Sequence, residues 1–241
     1  TISFAFEQSY SAIFLNKAYY SSSNKVERLK WVSTYLFSSL HLCVLQMKPF
    51  TPILGETLNI KVGDMDLYLE NTISKPPTLN FYGISKNYKI YGFVPLSALT
   101  GPNSITVLKK GKFIVEFDDL LNNQATKDTY SLIIPTVITT GITMGKRIFN
   151  YSNLMIVQSE SQKLSVVVKF NPDKRGAFAS MIGLSQKTFP DYVKGFIVDS
   201  KYITINQHTQ EHKINAKEKD YICHIDGEWT HHLSFDKIRY W

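Results

Sequence analysis

Cysteine is scarce in this chain. Two in 241 residues, Cys43 and Cys223, supply neither the paired spacing of a metal site nor a disulfide framework, and imply a reducing, cytoplasmic setting. Long apolar runs are missing as well: no stretch reaches the roughly 20 residues that a membrane-spanning helix needs. Residues 1–20 do not have the basic-then-apolar layout of a targeting signal. Gly-rich phosphate loops and the hydrolase nucleophile elbow are absent. No nucleophile, base and orienting group stand together at a readable spacing. These absences leave little room for an enzyme or for a resident cofactor or metal.

Charge is modest, at 20% of residues, with a net value of +7. Such a balance fits nucleic acid, acidic lipid headgroups or an acidic protein neighbour. The lysines are scattered, with short groups at Lys109-Lys110-Gly-Lys112 and from Lys213 to Lys219. Neither zinc-finger spacing nor an RNP-type aromatic signature accompanies them, so nucleic acid rests on charge alone. His208 and His212 are four apart and His231-His232 adjacent. Polar neighbours place the first pair at a surface turn, and strand alternation sends adjacent residues to opposite faces. Asp118-Asp119 reads as an acidic turn or a cation site, and Cys43, among Leu40, Val44 and Leu45, as a buried inert thiol.

Aromatic residues are abundant, with fourteen Tyr and fifteen Phe, and favour sheet. The chain is organised around Gln46-Met-Lys-Pro-Phe-Thr-Pro-Ile-Leu-Gly-Glu-Thr-Leu58. Its two prolines fix φ and push the preceding Lys48 and Thr51 toward extended conformations, so no helix runs through. Gly55 permits a tight backbone position before an alternating run begins at Glu56. A lysine and unpaired backbone N–H groups held between helix and sheet make an anion-binding corner. The same stretch also reads as a rigid connector with a solvated lysine.

Before that stretch, Ile2, Phe4 and Phe6 alternate, which predicts a short strand or extended arm. Asn24 and Glu27 have capping-box spacing, and Val26, Leu29, Val32, Leu36, Leu40 and Val44 predict a helix over residues 25–45. After it come many short strands broken by turns at Gly63-Asp64, Pro76-Pro77 and Gly101-Pro102-Asn103. Asp226-Gly227 reads as a hairpin turn with Trp229 returning to the sheet. The pattern predicts one domain over residues 1–241: an antiparallel all-β sheet or barrel with the helix packed on its wall.

Lys48-Pro-Phe-Thr-Pro-Ile-Leu-Gly-Glu-Thr57 resembles the Lys-Pro-Phe-Asn-Pro-Leu-Leu-Gly-Glu-Thr element of oxysterol-binding-protein-related lipid-transfer domains. Further matches follow in order. Lys30-Trp31 precedes the element. Leu69-Glu70-Asn-Thr-Ile-Ser-Lys-Pro-Pro77 aligns with the family's Glu-Gln-Val-Ser-His-His-Pro-Pro signature, with an aromatic at Phe81 or Tyr82 beyond it. Lys89-Ile-Tyr-Gly92, Tyr151-Ser-Asn-Leu154 and Gly227-Glu-Trp229 resemble later segments.

The resemblance implies a large, incomplete antiparallel β-barrel around an apolar tunnel, closed by an N-terminal lid, that carries one sterol or phospholipid between membranes. It also implies transient contact with anionic membranes. Phe4, Phe6, Phe14, Tyr19 and Tyr20 are candidates for lid or plug. The family's histidine pair aligns with Ser74-Lys75 and its asparagine with Thr51, while Lys48, Pro76 and Pro77 are kept. A lysine contacts phosphate as a point charge, without imidazole's directionality. The implied headgroup site is therefore Lys48, Thr51, Ser74 and Lys75, with backbone N–H groups near Ile53 and Leu54. The family's C-terminal helices and their headgroup contacts would lie beyond Trp241. The alternative is a former lipid-binding barrel that serves as a structural or adaptor subunit beside a protein partner. The two differ in whether the interior is open or filled.

Overall fold

The computed structural model describes residues 2–45, 52–121, 124–152, 154–172, 191–206 and 211–241. It opens with a helix, α1 (Ile2–Tyr20), where alternation predicted a strand or arm. The buried residues of α1 are Ala5, Gln8, Ser11, Ala12, Phe14, Leu15 and Ala18. That set has helical spacing but consists mostly of small or polar residues, while Ile2, Phe6, Ile13 and Tyr20 are exposed. The apolar period was therefore hidden, and tertiary packing supplies the stability that the pattern does not announce.

Helix α2 (Lys25–Ser38) begins as predicted, with the Asn24 side chain accepting the Glu27 backbone N–H at 3.1 Å. It ends earlier than residue 45 and gives way to a 3₁₀ segment over Leu40–Leu45. At the change, the Ser38 and Ser39 hydroxyls donate to the carbonyls of Tyr35 and Leu36. Such local bonds compete with continuation of the α-helical ladder.

Seventeen strands follow among the described residues. They are β1 (Thr57–Val62), β2 (Met65–Ser74), β3 (Pro77–Ile84), β4 (Lys89–Gly101), β5 (Ser104–Lys109), β6 (Lys112–Leu121), β7 (Gln124–Ile133), β8 (Thr136–Thr140) and β9 (Ile148–Ser152). Then come β10 (Leu154–Ser159), β11 (Leu164–Phe170), β12 (Tyr192–Asp199), β13 (Ile203–Ile205), β14 (His212–Ile214), β15 (Cys223–Glu228), β16 (His232–Phe235) and β17 (Ile238–Arg239). Fifteen form one antiparallel sheet with the path β1-β2-β3-β4-β6-β7-β10-β11-β12-β15-β16-β17. The outer half of β4 leaves that path to pair with β5, which continues through β8 to β9. Strands β13 and β14 pair separately and cover Val167, Phe196 and Val198 on the outer face.

The turn at Pro76-Pro77 is a tight connection, with Ser74 opposite Pro77 and Lys75-Pro76 between them. Asp226-Gly227 is not a turn: both residues lie within β15, and the chain reverses at Trp229-Thr230-His231. Gly227 is needed there for another reason. A Cβ on it would stand 2.4 Å from the His232 carbonyl oxygen of the neighbouring strand.

One core cluster collects Val62 of β1, Leu69 of β2, Phe113 of β6, Val168 of β11, Leu233 of β16 and the buried faces of both helices. The helical pair also ties the two ends of the sheet. Asn16 meets Asp64 at 3.4 Å and accepts the Asn87 amide at 3.0 Å. At the other end, Tyr240 donates to Glu27 and the Trp241 indole donates to the Tyr10 hydroxyl, each at 2.7 Å. Strands β1 and β17 end the path and do not pair with one another among the described residues.

A charged pair lies inside this assembly. Arg28, 1% exposed, meets Asp128 of β7 at 2.9 Å, donates to the Ala18 carbonyl at 3.2 Å and lies 5.0 Å from the Phe117 ring centroid. Asp128 also accepts from Tyr130 at 2.7 Å, from Gln162 at 3.0 Å and from Ser161. Burial, then the Asp128 charge, pushes the Tyr130 hydroxyl far above its ordinary value, so it stays a donor.

Candidate functional site

The residues after the central proline stretch are held by one side chain that the sequence reading gave no role. Asn71, 1% exposed on β2, donates its amide to the carbonyls of Pro52 at 3.2 Å and Ile53 at 2.9 Å. Its backbone accepts from Gly55 N–H at 2.8 Å and donates to the Glu56 carbonyl at 2.9 Å. Gly55, at φ +77°, makes the turn in between. Residues 52–56 are thus pinned to the sheet at one residue. Replacing Asn71 with alanine is expected to cost about 1–3 kcal/mol, from the loss of two hydrogen bonds at about 0.5–1.5 kcal/mol each. Limited proteolysis should then cut between Pro52 and Glu56 faster than in the parent, whereas equal cleavage would deny Asn71 this role.

Behind that pin lies a cavity of about 670 Å³, within the roughly 300–1,000 Å³ of small-molecule sites. The first turns of α1 supply Ile2, Phe4 and Gln8, the end of α2 supplies Tyr35 and Leu36, and the 3₁₀ segment supplies Leu40. Pro52, Glu56, Asn71 and Pro77 border it on one side, and Leu79, Val94, Phe113, Ile134 and Tyr151 form the sheet wall. The Phe4 ring sits 4.7 Å from Phe81 and 6.1 Å from Phe113, centroid to centroid. Among the polar groups on the lining, Tyr35 donates to Gln8, and Tyr151 donates to the Leu40 carbonyl at 3.0 Å. Burial above all, then the nearby Tyr88 and Glu7, holds the Tyr35 hydroxyl far above its ordinary range. The wall is mostly apolar, with Glu7, Glu56 and Lys109 as the charged residues on its lining, which suits a largely hydrocarbon ligand with a polar end.

The aromatics considered as lid or plug part company here. Phe4 is part of the wall. Phe14 is buried and stacked on Trp31 at 6.2 Å, and Phe6 and Tyr20 are exposed. Tyr19 packs at the margin of the core.

Of the predicted headgroup residues, Lys48 and Thr51 lie outside the described residues. The Ile53 and Leu54 side chains are 73% and 61% exposed, next to Pro52 on the cavity border. The Ile53 N–H donates to the Glu56 carboxylate at 3.3 Å, so one of the expected backbone donors is engaged. Ser74 and Lys75 are exposed at the β2–β3 turn, next to Pro77 on the same border. Residues 53–54 and 74–75 thus flank one side of one cavity, joined through Asn71.

Other candidates do not assemble. Among the described residues no group of three or more His, Cys, Asp or Glu side chains could hold a metal ion. His208 lies outside the described residues, as does the Cys43 side chain. Cys223 is buried, and burial followed by a hydrogen bond with Asp236 pushes its thiol up to about 12, so it carries little thiolate at neutral pH. No described helix is long and apolar enough to cross a membrane.

A continuous antiparallel sheet, a helical pair on its inner face and an apolar cavity between them define a cavity-bearing β-sheet domain. The chain belongs to the oxysterol-binding protein family: the family model of that description matches residues 3–183. Oxysterol-binding protein 9 of Dictyostelium discoideum is 29% identical over 228 residues, which cover 93% of this chain and 51% of that protein. The fold is similar to the Osh1 ORD domain solved in complex with cholesterol, at TM-score 0.74 and 17% identity, covering 97% of this chain and 48% of that one. It is also similar to the Osh3 ORD of Saccharomyces cerevisiae solved with PI(4)P, at TM-score 0.72 and 19% identity, covering 99% and 57%. The chain spans about half the length of these relatives.

Proposed function

We propose that this domain binds one lipid, a sterol or a phospholipid, in the apolar cavity and transfers it between cytoplasmic membrane surfaces. The observation that carries the reading is the cavity itself, about 670 Å³ and open although aromatic side chains surround it. Burying hydrocarbon there is favourable by roughly 25 cal/mol per Å² and needs no charged contact. Relatives of the same fold were solved with cholesterol, ergosterol and PI(4)P. In this reading the sheet is an incomplete barrel. A single core fed by strands from β1 to β16 and by both helices supports that shape. A structural or adaptor role would be favoured by an interior filled with side chains.

The test is chemical. Protein recovered from its native source, at its full natural length, should carry close to one extractable sterol or phospholipid per chain, and should move labelled lipid between vesicles. No stoichiometric lipid by mass spectrometry, together with transfer at the protein-free rate, would leave the structural role instead.

A phosphorylated headgroup, where the cargo has one, would sit at the border flanked by residues 53–54 and 74–75. Lys48 and Lys75 would supply charge, and Thr51, Ser74 and backbone N–H groups near Ile53 and Leu54 would supply hydrogen bonds. Each charge-assisted bond contributes about 1.5–3 kcal/mol. The Lys48→Ala/Lys75→Ala variant should therefore lose binding to phosphoinositide-containing liposomes much more than to neutral ones. Indistinguishable binding by variant and parent would remove this headgroup site.

A further inference from the structure

The net charge of +7 is concentrated in one part of the fold. Residues 95–112 and 134–152 contain Lys109, Lys110, Lys112, Lys146 and Arg147 and no aspartate or glutamate. They include the four-stranded wing formed by the outer half of β4 with β5, β8 and β9. Its base lines the cavity through Leu96, Lys109, Ile134 and Tyr151. Its tip lies about 17 Å away, five steps of roughly 3.4 Å along β5.

That tip is both rigid and apolar. Asn103, in the β4–β5 turn, clamps the β8–β9 loop: its side-chain oxygen accepts from the backbone N–H of Thr143 at 2.9 Å and Met144 at 3.1 Å. Its amide donates to the Met144 carbonyl at 3.0 Å, and its backbone carbonyl accepts from Gly141 at 3.1 Å. The clamped loop presents Met144 at 76% exposure, and the wing's two outer strands carry Leu99 at 60% and Ile148 at 41%. Strand register places Leu99, Ile138 and Ile148 on one face, while Val137 and Tyr151 point to the core. Lys146 and Arg147 follow Met144 by two and three residues and are exposed.

We propose that the wing tip docks on an anionic bilayer surface. Met144, Leu99 and Ile148 enter the interfacial layer, and Lys146 and Arg147 meet lipid phosphates. Exposed aliphatic residues with two adjacent cations, on strands that carry no acid, match the composition of interfacial membrane contacts. A nucleic acid is a poorer fit, because single-strand binders stack bases on exposed rings, and the wing's aromatics, Phe149 and Tyr151, pack against one another and Trp229. The Asn103 clamp means that little ordering cost falls on binding. The inference does not depend on the cavity being loaded.

The experiment is co-sedimentation of the full chain with vesicles of phosphatidylcholine alone or with one-fifth phosphatidylserine. Met144→Asp/Ile148→Asp should lower partitioning onto both, and Lys146→Ala/Arg147→Ala should lower the preference for anionic vesicles about tenfold, since each cation near such a surface contributes roughly fivefold before screening. Thermal midpoints should stay unchanged. Met144→Trp should bind like the parent, and its fluorescence should be quenched by brominated acyl chains more than the native tryptophans are. Unchanged partitioning by both double variants would overturn the proposal. So would loss of binding in Ile53→Asp/Leu54→Asp alone, which would place docking at the cavity border. Failure of the parent to bind vesicles while Lys146 and Arg147 are needed for binding an oligonucleotide would overturn it too. Cavity lipid, measured separately by mass spectrometry, bears on the carrier reading and not on the tip.

Discussion

Replacing Asp128 with alanine is expected to destabilise the protein by about 3–5 kcal/mol, because it strands the Arg28 guanidinium, 1% exposed, without its anion. For a domain of this size each kcal/mol moves the thermal midpoint by about 2–4 °C, so the transition should fall by roughly 6–20 °C. Tyr130, Ser161 and Gln162 would also lose the acceptor that gathers them. The companion change Arg28→Met/Asp128→Leu should recover a large part of the loss, since an apolar pair of similar volume leaves no buried charge. A small shift in Asp128→Ala, measured by calorimetry, would mean that water reaches the guanidinium. The pair joins α2 to β7 across a hundred residues, so its loss should also loosen the helical pair that forms one wall of the cavity.

The second large effect concerns cargo. If the cavity holds lipid as proposed, Leu79→Trp, on the β3 wall, should weaken its retention with little cost in stability, because the added ring projects into open space. Excluding about 60 Å² of ligand surface at roughly 25 cal/mol per Å² amounts to about 1.5 kcal/mol, or tenfold in affinity. The comparison is Val115→Trp, at a fully buried position of the packed core. Overpacking there should cost about 1–3 kcal/mol or more. Lipid extraction and thermal denaturation on the two variants separate the cases. If Leu79→Trp is as destabilising as Val115→Trp and keeps its lipid, the cavity is not the cargo site.

Strand-rich order after the central prolines, the Asn24 cap, the turns at Gly63-Asp64 and Gly101-Pro102-Asn103 and the family itself were all legible in the linear chain. They depend on local backbone chemistry and on motifs contiguous in sequence, where a proline, a capping oxygen or a period of two acts within a few residues. The first helix was not legible, because Ala5, Gln8, Ser11, Ala12 and Ala18 outnumber Phe14 and Leu15 on its buried side and leave no continuous apolar stripe. Gly227 was misread as a turn for a related reason: its lack of a side chain answers the approach of His232 on the next strand, which no local pattern records.

The candidate site divides the same way. Ile53, Leu54, Ser74 and Lys75 come from the motifs that hold them, and in the chain they adjoin Pro52 and Pro77 on the cavity border without lining it themselves. Asn71 could not be assigned its task from sequence, because its partners are main-chain carbonyls eighteen and nineteen residues away that come near only when residues 52–56 fold back on β2. The scattered lysines looked uninformative in line, yet the β8–β9 turn sets Lys146 and Arg147 at the wing tip, while Lys109 and Lys110 stand at its base. Sequence by itself determined the kinds of element, their order and the family. Tertiary structure alone decided that the interior keeps a cavity and that the positive charge is gathered on one side. Cavity volume and surface field are sums over residues distant in the chain, and they take a value only once the sheet has brought those residues together.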